Sequence, residues 1–495
     1  MRHALAHVVL LSTLGGCSLI YNESNIPTST PDAVDAEVIS DADPTMLQLS
    51  DVNPKVILEG QGTGGSRPAI VVVSGHHIVD GAMVSISTTT GTANITPGTA
   101  IRAANGNYLA IPITVAIDTP MTGDIPLTIT VVQPDLSGGM ITKTVDGLKL
   151  RYLPEMTVIP MTQAFAPLYA QINVPGSTPV ALAGTERALF RAVSSITLPP
   201  LNADGNDAAT TTPGAAKLGG CAGGSPSSVG GCASGGGLGV SGTLGGGGGG
   251  GAGFAGMGTG GTGTGAGQGG QGGGDEMIVA YEALGLAANK PSGGGGGGAG
   301  VVGTGGGGGA GAGVVELTAG GNLVVGTISV VGGAGGTSAS GGGGGAGGVV
   351  VLRAGGTLTA GTISANGGPG GDVGDNDGGA GAAGRIRWDA PAGAAPSADV
   401  PSVHRGPAFA AATDLAYRET MPAISLVGKA NVGFKVFTRH EGATYNQTSE
   451  TFGSGGTIEI RPLLRGGHNE LCITLNGGVQ GTPEADKCID VAVVP

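Results

Sequence analysis

The sequence has few charged and few aromatic side chains. Charged residues make up 12% of the 495 residues and aromatic residues 3%, and the chain contains one tryptophan. The formal net charge is −13, and lysine and arginine do not cluster anywhere along the sequence. A protein that binds nucleic acid or anionic lipid needs concentrated positive charge. The composition therefore argues against both as main partners.

Motifs of several common enzyme sites are also missing. The sequence contains no GK[ST] phosphate-binding motif and no GxSxG nucleophile motif. The pattern GxGxxG occurs many times, but a dinucleotide site also needs a following helix with an acidic residue about 20 positions on. No helical pattern follows here. We therefore predict a non-catalytic protein without a cofactor.

The first 16 residues, MRHALAHVVLLSTLGG, have the pattern of an export signal. Arg2 is followed by a short apolar run and by small residues before Cys17. The tetrad LGGC resembles the lipobox of bacterial lipoproteins, which implies that Cys17 is lipidated and becomes the mature N-terminus. By the same resemblance, Ser18 favours delivery to the outer membrane. We expect a cell-envelope protein with a lipid anchor in the membrane; the alternative is an ordinary secretory signal with an adjacent cysteine.

Four cysteines remain after the lipidation candidate. An even number in an exported chain predicts disulfides. The expected pairs are local, Cys221 with Cys232 and Cys472 with Cys488. Zinc is disfavoured, because the sequence has no CxxC pair and no histidine near the first two cysteines.

Two segments at either end of the folded part are expected to be all-β domains. Residues 17–45, rich in Pro, Ser, Thr and Asp, predict an acidic disordered tether before the first of them. In residues 46–154 and 400–495, short β-branched stretches alternate with Gly, Asp or Pro. NPKVILEGQGTGGSRPAIVVVSGHHIVDGAMVSIS and PLTITVVQPD resemble the IPT/TIG family of immunoglobulin-like surface modules, and GGHNELCITL resembles a strand of bacterial Ig-like domains. These resemblances imply a β-sandwich at each end.

The glycine-rich centre, residues 158–398, contains an internal repeat. Glycine accounts for 105 residues of the chain, roughly three times its usual share of ~7%. The stretch GGGGGAGAGVVELTAGGNLVVGTISVVGGAGG is matched by GGGGGAGGVVVLRAGGTLTAGTISANGGPGG, and their GTIS tetrads begin at Gly326 and Gly361, 35 residues apart. The apolar positions repeat together with the glycines. A period of this size indicates structural units that stack on one another.

Alternation within the repeat predicts which side chains face inward. The apolar set of the first copy is Val315, Leu317, Ala319, Leu323, Val325, Ile328 and Val330, and equivalents follow 35 positions later. Glu316, Thr318 and Arg353 are expected to point the other way. We predict an all-β chain: an Ig-like β-sandwich, a glycine-rich right-handed parallel β-helix and a second Ig-like β-sandwich. This centre broadly resembles glycine-rich β-helical regions of bacterial surface proteins.

Pure glycine runs interrupt the predicted strands. They are Gly245–Gly251, Gly293–Gly298, Gly305–Gly309 and Gly341–Gly345. Their fixed place in the repeat favours ordered polyglycine-II-like segments that hydrogen-bond side by side. The alternative is flexible coil, because ordering glycine has a large entropic cost.

An acidic loop, GGPGGDVGDNDGG, is the one calcium candidate. Its beginning resembles the calcium-binding repeat of RTX proteins, with Asp372, Asp375 and Asp377 as possible ligands. The motif occurs once, whereas such sites pair successive turns. We therefore favour a polar surface loop and expect no metal.

Two other polar groups have equally ordinary interpretations. His76 and His77 are adjacent, so on a strand they would face opposite sides, which is unsuitable for joint metal binding. Asp204 and Asp207 in NADGND predict a turn.

The predicted function is a structural or adhesive role at the cell envelope. Two alternatives stay open. One is a glycan-binding or polysaccharide-degrading β-helix, and the other is an ice- or surface-binding protein that uses flat glycine sheets. A glycan or another cell-surface ligand is the expected partner besides the membrane lipid.

Overall fold

The computed structural model describes residues 46–88, 94–118, 123–135, 137–160, 168–232, 234–240, 248–253, 257–263, 265–270, 304–392, 394–400, 403–475 and 487–495. Over these residues the chain is all-β, as predicted, with parallel and antiparallel sheets and no helix. Nothing in this part of the chain forms a helix long and apolar enough to cross a bilayer. The predicted signal peptide, Cys17, the tether and the run Gly293–Gly298 lie outside the described residues.

Nine strands form two sheets at the N-terminal end. They are β1 (Gln48–Asn53), β2 (Val56–Leu58), β3 (Ala69–His76), β4 (Met83–Thr88), β5 (Ile95–Pro97), β6 (Ile101–Arg102), β7 (Tyr108–Val115), β8 (Gly123–Pro134) and β9 (Met140–Tyr152). One sheet has the order β1-β3-β7-β5, with β6 also paired to β7, and the other has the order β2-β9-β8-β4. Alternate side chains of both sheets meet in one hydrophobic core.

Strand β3 is buried on both faces. Val71 and Val73 face the core between the two sheets. Ile70 and Val72 face the opposite way and pack against Ala492 and Val494, close to the C-terminus. A strand covered on both faces is apolar throughout. The run AIVVV is therefore explained by a contact with the far end of the chain.

Fourteen strands form the centre of the described structure, which we call the parallel stack. They are β10 (Leu168–Tyr169), β11 (Ile172–Asn173), β12 (Val180–Ala181), β13 (Ala188–Ala192), β14 (Ile196–Leu198), β15 (Leu201–Asn202), β16 (Val314–Ala319), β17 (Leu323–Val325), β18 (Ile328–Ser329), β19 (Val349–Ala354), β20 (Leu358–Ala360), β21 (Ile363–Ser364), β22 (Arg385–Asp389) and β23 (Val403–Arg405). They pair in three parallel sheets with the orders β10-β13-β16-β19-β22-β23, β11-β14-β17-β20 and β12-β15-β18-β21. Each passage of the chain through the three sheets is one coil of the stack.

The register of neighbouring coils confirms the repeat read from the sequence. Every pairing between the third and fourth coils joins residues 35 positions apart, as in Val314 with Val349, Leu323 with Leu358 and Ile328 with Ile363. The predicted inward residues of both coils lie in or against one buried cluster inside the three sheets. Identical apolar positions therefore stack directly on one another. The stack reaches Arg405, slightly beyond the expected start of the last domain at residue 400.

The long connections between coils contain the glycine-rich segments. We call their described residues the glycine layer. It consists of the described residues between 203 and 270 and of residues 304–313, 330–348 and 365–384. Residues 304–313 donate hydrogen bonds in three directions. In the first direction, the carbonyls of Ser340, Gly343 and Ala346 accept hydrogen bonds from the amides of Gly306, Gly309 and Ala312. In the second, the carbonyls of Thr210, Asn206 and Ala203 accept from Gly307, Ala310 and Gly313. In the third, the carbonyls of Gly224 and Cys221 accept from Gly308 and Gly311, and all of these bonds are 2.8–3.0 Å long. A step of three residues is the repeat of the extended helix formed by polyproline.

Glycine is required in this layer because of space. None of the glycines from 305 to 313 or from 341 to 348 has a positive φ angle. A Cβ atom placed on Gly344 or Gly345 would approach a carbonyl oxygen of the neighbouring chain, Gly368 or Ala310, more closely than 3.0 Å. Side chains would therefore push apart the chains that the hydrogen bonds join.

The glycine layer covers the outer face of the largest sheet of the stack. Its Ala252 and Ala346 pack against Val314, Val349 and Val351, which project outward from β16 and β19. Apolar residues thus occupy outward positions of both strands, because this part of the outer face is buried as well.

Eight strands form the C-terminal part. They are β24 (Ala408–Phe409), β25 (Ala416–Tyr417), β26 (Ile424–Val427), β27 (Gly433–His440), β28 (Ala443–Thr451), β29 (Thr457–Ile460), β30 (Gly467–Leu475) and β31 (Lys487–Val493). They pair in two sheets, β24-β26-β29 and β25-β31-β30-β27-β28, around a third core. Leu47–Pro495 forms one compact unit, in which the Ala104 amide donates to the carbonyl of Pro495 over 2.6 Å.

The glycine layer generates the first testable prediction. Gly344→Ala should lower the free energy of unfolding by about 1–3 kcal/mol, because its methyl group meets the backbone of a neighbouring chain. The matched control is Gly260→Ala in the same layer, where a Cβ atom would find its nearest neighbour at 3.4 Å. Urea denaturation of both variants measures the difference. Equal stability of the two variants would contradict the close packing.

Candidate functional site

A ladder of charged side chains lies on the outer face of the largest sheet of the stack, next to the outward valines that the glycine layer covers. Glu316 is only 1% exposed, and its carboxylate contacts Arg353 and, at 3.1 Å, Arg187. Asp389 pairs with Arg387 at 2.7 Å and with Arg353 at 3.5 Å. The outward direction predicted for Glu316 and Arg353 is correct, but both side chains are buried.

The parallel register assembles this ladder from three coils. Thr318, Arg353 and Asp389 occupy the same position in β16, β19 and β22. Glu316 lies two residues before Thr318, on the same outer face, so its pair with Arg353 runs diagonally between coils, whereas Arg353 and Asp389 pair straight across. Removing charges from water is costly unless they are paired. The ladder therefore joins the coils internally, and its burial makes it a structural group.

A second face of the stack is exposed and carries many hydroxyl groups. We call it the hydroxyl face; it consists of Thr197, Val324, Thr359, Thr327, Thr362, Asn202, Ser329 and Ser364. In each row the same position recurs in successive coils, and parallel strands lie about 4.8 Å apart. Thr327, Thr359 and Thr362 are exposed, as is Val324. The signal for this face was present in the repeated GTIS tetrads.

Two aspartates predicted to form a turn also fix the edge of the hydroxyl face. Asp204 accepts hydrogen bonds from the Ser329 hydroxyl at 2.6 Å and the Val331 amide at 2.7 Å. Asp207 accepts one from the Ala334 amide at 2.7 Å. Both carboxylates thus accept hydrogen bonds from the following coil. The turn predicted from NADGND did not include this contact.

A cavity of 340 Å³ lies where the three parts of the chain meet. We call it the junction cavity. Its walls come from residues 61–69 of the N-terminal part, from the corners of the stack after β13, β16 and β19, and from residues 408–415 and 488–490. Arg67 comes from the N-terminal part and Phe409 from the C-terminal part, and the guanidinium carbon of Arg67 lies 5.9 Å from the centre of the Phe409 ring. A long-range assembly of this kind has no signal in the local sequence.

The predicted cysteine pairs are at disulfide-bonding distance. The Cα atoms of Cys221 and Cys232 are 6.1 Å apart, and those of Cys472 and Cys488, which are direct partners in β30 and β31, are 4.0 Å apart. Glu470 lies beside the second pair. Two sulfur atoms that are bonded to each other are not thiolate ligands, so this group offers a metal only one carboxylate.

The acidic loop forms bonds within itself. The Asp377 carboxylate accepts the Val373 amide at 2.7 Å, and that of Asp372 accepts the Gly374 amide at 3.3 Å. Asp375 lies in the same loop; its carbonyl accepts the hydroxyl of Thr262 at 3.2 Å. These contacts describe an ordered polar loop, and the expectation that it binds no metal remains a prediction.

The adjacent histidines are separated by a change in backbone conformation. His76 ends β3, and its ring contacts the Asn107 side chain at 3.1 Å. His77 has a φ angle of 57°, and its carbonyl accepts the Gln133 amide at 2.7 Å. The bend leaves each histidine with a different neighbour.

Comparison of the chain with models of known protein families, with curated proteins and with solved structures gives no match.

The buried ladder generates the second prediction. Glu316→Gln should lower the free energy of unfolding by about 3 kcal/mol, because it removes the carboxylate that the buried Arg353 and the half-buried Arg187 share. Glu459→Gln is the control, since its ion pair with Arg461 is exposed and should contribute less than about 1 kcal/mol. Chemical denaturation of the two variants gives the comparison. An equal, small loss in both would refute the buried pairing.

Proposed function

We propose that the chain is a cell-envelope lipoprotein with a non-catalytic, surface-binding role. In this proposal Cys17 carries the lipid, residues 17–45 form the tether, and the outer membrane is the destination. The lipobox-like tetrad and the cysteine pairs support an exported chain. The compact unit that follows residue 46 suits display of a surface at the end of this tether.

The proposal includes a finer description of the fold. The parallel stack is taken as a right-handed parallel β-helix, with a polyglycine-II-like layer on its largest sheet. Three parallel sheets around one core and the near-universal right-handedness of parallel crossovers support this. The two-sheet units at either end are taken as Ig-like sandwiches, the first of the IPT/TIG kind, on the basis of their paired sheets and quoted segments.

The hydroxyl face is the observation that carries the surface-binding role. The glycine layer covers the outer face of the largest sheet, whereas Thr327, Thr359 and Thr362 of the hydroxyl face are exposed. Rows of hydroxyl groups repeated every coil match a ligand whose own hydrogen-bonding groups repeat, such as a polysaccharide. Each hydrogen bond contributes only about 1 kcal/mol net, so a repeating array is needed for useful affinity.

The anchor is tested by the Cys17→Ala substitution. The unchanged protein should partition into detergent and remain with membranes, because the lipid inserts its acyl chains. The variant should move to the aqueous phase. Signal-peptide cleavage must be verified in both by the mass of the mature chain. Unchanged partitioning of the variant would refute the lipid anchor and favour the ordinary secretory signal.

The surface-binding role is tested by replacing hydroxyl groups with methyl groups of the same shape. Thr327→Val combined with Thr362→Val should weaken retention on polysaccharide beads by about tenfold or more, because two hydrogen bonds of about 1 kcal/mol each are lost. Thr448→Val, on the exposed strand β28, is the control and should bind as the unchanged protein does.

The same variants distinguish the alternatives. Retention on polysaccharide that is insensitive to the double substitution would remove the hydroxyl face from the proposal. Release of soluble sugar from the beads would indicate a polysaccharide-degrading enzyme. Thermal hysteresis without polysaccharide binding would indicate an ice-binding protein.

A further inference from the structure

One wall of the junction cavity is fixed by the stacking of coils. This wall is the column of corners at which successive coils leave the largest sheet: Val193, Gly320, Gly355 and Pro391. A Cβ atom on Gly320 would approach the Val193 carbonyl, and one on Gly355 the Gly320 carbonyl, more closely than 3.0 Å. The stacking of coils therefore keeps these corners small. The volume of the junction cavity, 340 Å³, falls in the range of cavities that hold small organic ligands.

The remaining walls are mainly apolar. Phe409, Leu415 and Ile489 come from the C-terminal part, and Ala69 and Pro68 from the start of β3. These residues belong to separate elements that meet only in the folded unit. An apolar molecule would contact all of them, which removes the covered part of its surface from water at about 25 cal/mol per Å².

Arg67 places a positive charge in this apolar wall. Its Nη2 atom donates to the backbone carbonyls of Ala410 and, at 3.4 Å, Phe409, and its guanidinium lies against the Phe409 ring. All of these partners are uncharged. Burial lowers the pKa of Arg67 below its ordinary value, which means that the site weakly disfavours the charge that it contains.

No carboxylate among the described residues compensates Arg67. The one ionisable group that interacts with it is the phenol of Tyr417. Burial raises the pKa of Tyr417 to about 12, so this phenol is neutral at physiological pH. A half-buried charge without an opposite charge is costly, and a ligand with a negative group would remove that cost.

The other charged groups on the wall already have partners. Arg353 pairs with Glu316 and Asp389 of the buried ladder. Asp490 contacts the His468 ring at 3.0 Å. Arg67 is thus the cation that is placed to meet a ligand, and Asp490 would repel a second negative charge on it.

We infer that the junction cavity binds a monocarboxylic acid with an apolar body. The carboxylate pairs with the donors of the Arg67 guanidinium that the Ala410 and Phe409 carbonyls do not use, and the apolar body packs against Phe409, Leu415 and Ile489. The Asp490 carboxylate in the same wall repels a phosphate dianion more strongly than a monoanion, which favours a monocarboxylate. Because the walls come from all three parts of the chain, the bound acid would also hold these parts together.

Titration calorimetry with decanoate tests this inference, with decanol as the neutral probe of equal length. The protein is the mature chain with Cys17→Ala, which removes the lipid as a competing acyl group. Decanoate should bind one site per chain, at least tenfold more tightly than decanol. Decyl phosphate should bind more weakly than decanoate; tighter binding of the phosphate would overturn the assignment to a monocarboxylate.

Two substitutions locate the site. Arg67→Met keeps the apolar stem and removes the charge, so it should weaken decanoate binding at least tenfold and leave decanol unchanged. Arg461→Met, at an exposed ion pair, is the control and should have no effect. Leu415→Trp keeps Arg67 but fills the cavity, and should abolish binding of both probes. Thermal unfolding without ligand verifies that each variant is folded. Unchanged decanoate binding in either folded cavity variant, or equal binding of decanoate and decanol, would overturn the inference.

Discussion

Backbone hydrogen bonding between side-chain-free strands of the glycine layer is the interaction on which the described structure depends. In most proteins a sheet is covered by the side chains of helices or of another sheet. Here the cover consists of extended chains that donate hydrogen bonds in three directions with a three-residue step. Such chains can approach one another only where no Cβ atom is present. The large entropic cost of ordering glycine is offset by many mutual hydrogen bonds.

This cover changes the chemistry of the sheet beneath it. Val314, Val349 and Val351 can face outward because the layer shields them from water. Glu316, Arg353 and Asp389 continue the same outer face, and each carboxylate pairs with arginines from its own or a neighbouring coil. Gly406, just after β23, lies against Asp389 and Arg387, so the end of the stack also contributes to the burial of the ladder.

The sequence predicts the periodic features of the fold and fails on the non-periodic ones. The 35-residue spacing of the GTIS tetrads predicts the register of β16 on β19, since identical apolar positions stack best. Local spacing also predicts both cysteine pairs. Burial of Glu316 could not be predicted, because its partner Arg187 is 129 residues away in the sequence. The junction cavity was missed for the same reason: Arg67 and Phe409 meet only after the N- and C-terminal parts pack together.

The division of surfaces follows from the same architecture. The glycine layer covers one side of the stack, the corners of the stack form a wall of the junction cavity, and the threonines of the hydroxyl face are exposed.

The central claim is that the glycine segments are ordered by hydrogen bonds. Amide hydrogen exchange, measured by mass spectrometry on peptides covering residues 304–313 and 341–348, tests it most directly. The account predicts protection comparable to that of β16 and β19, because these amides open only when the stack does. Exchange as fast as in an unstructured peptide would contradict it.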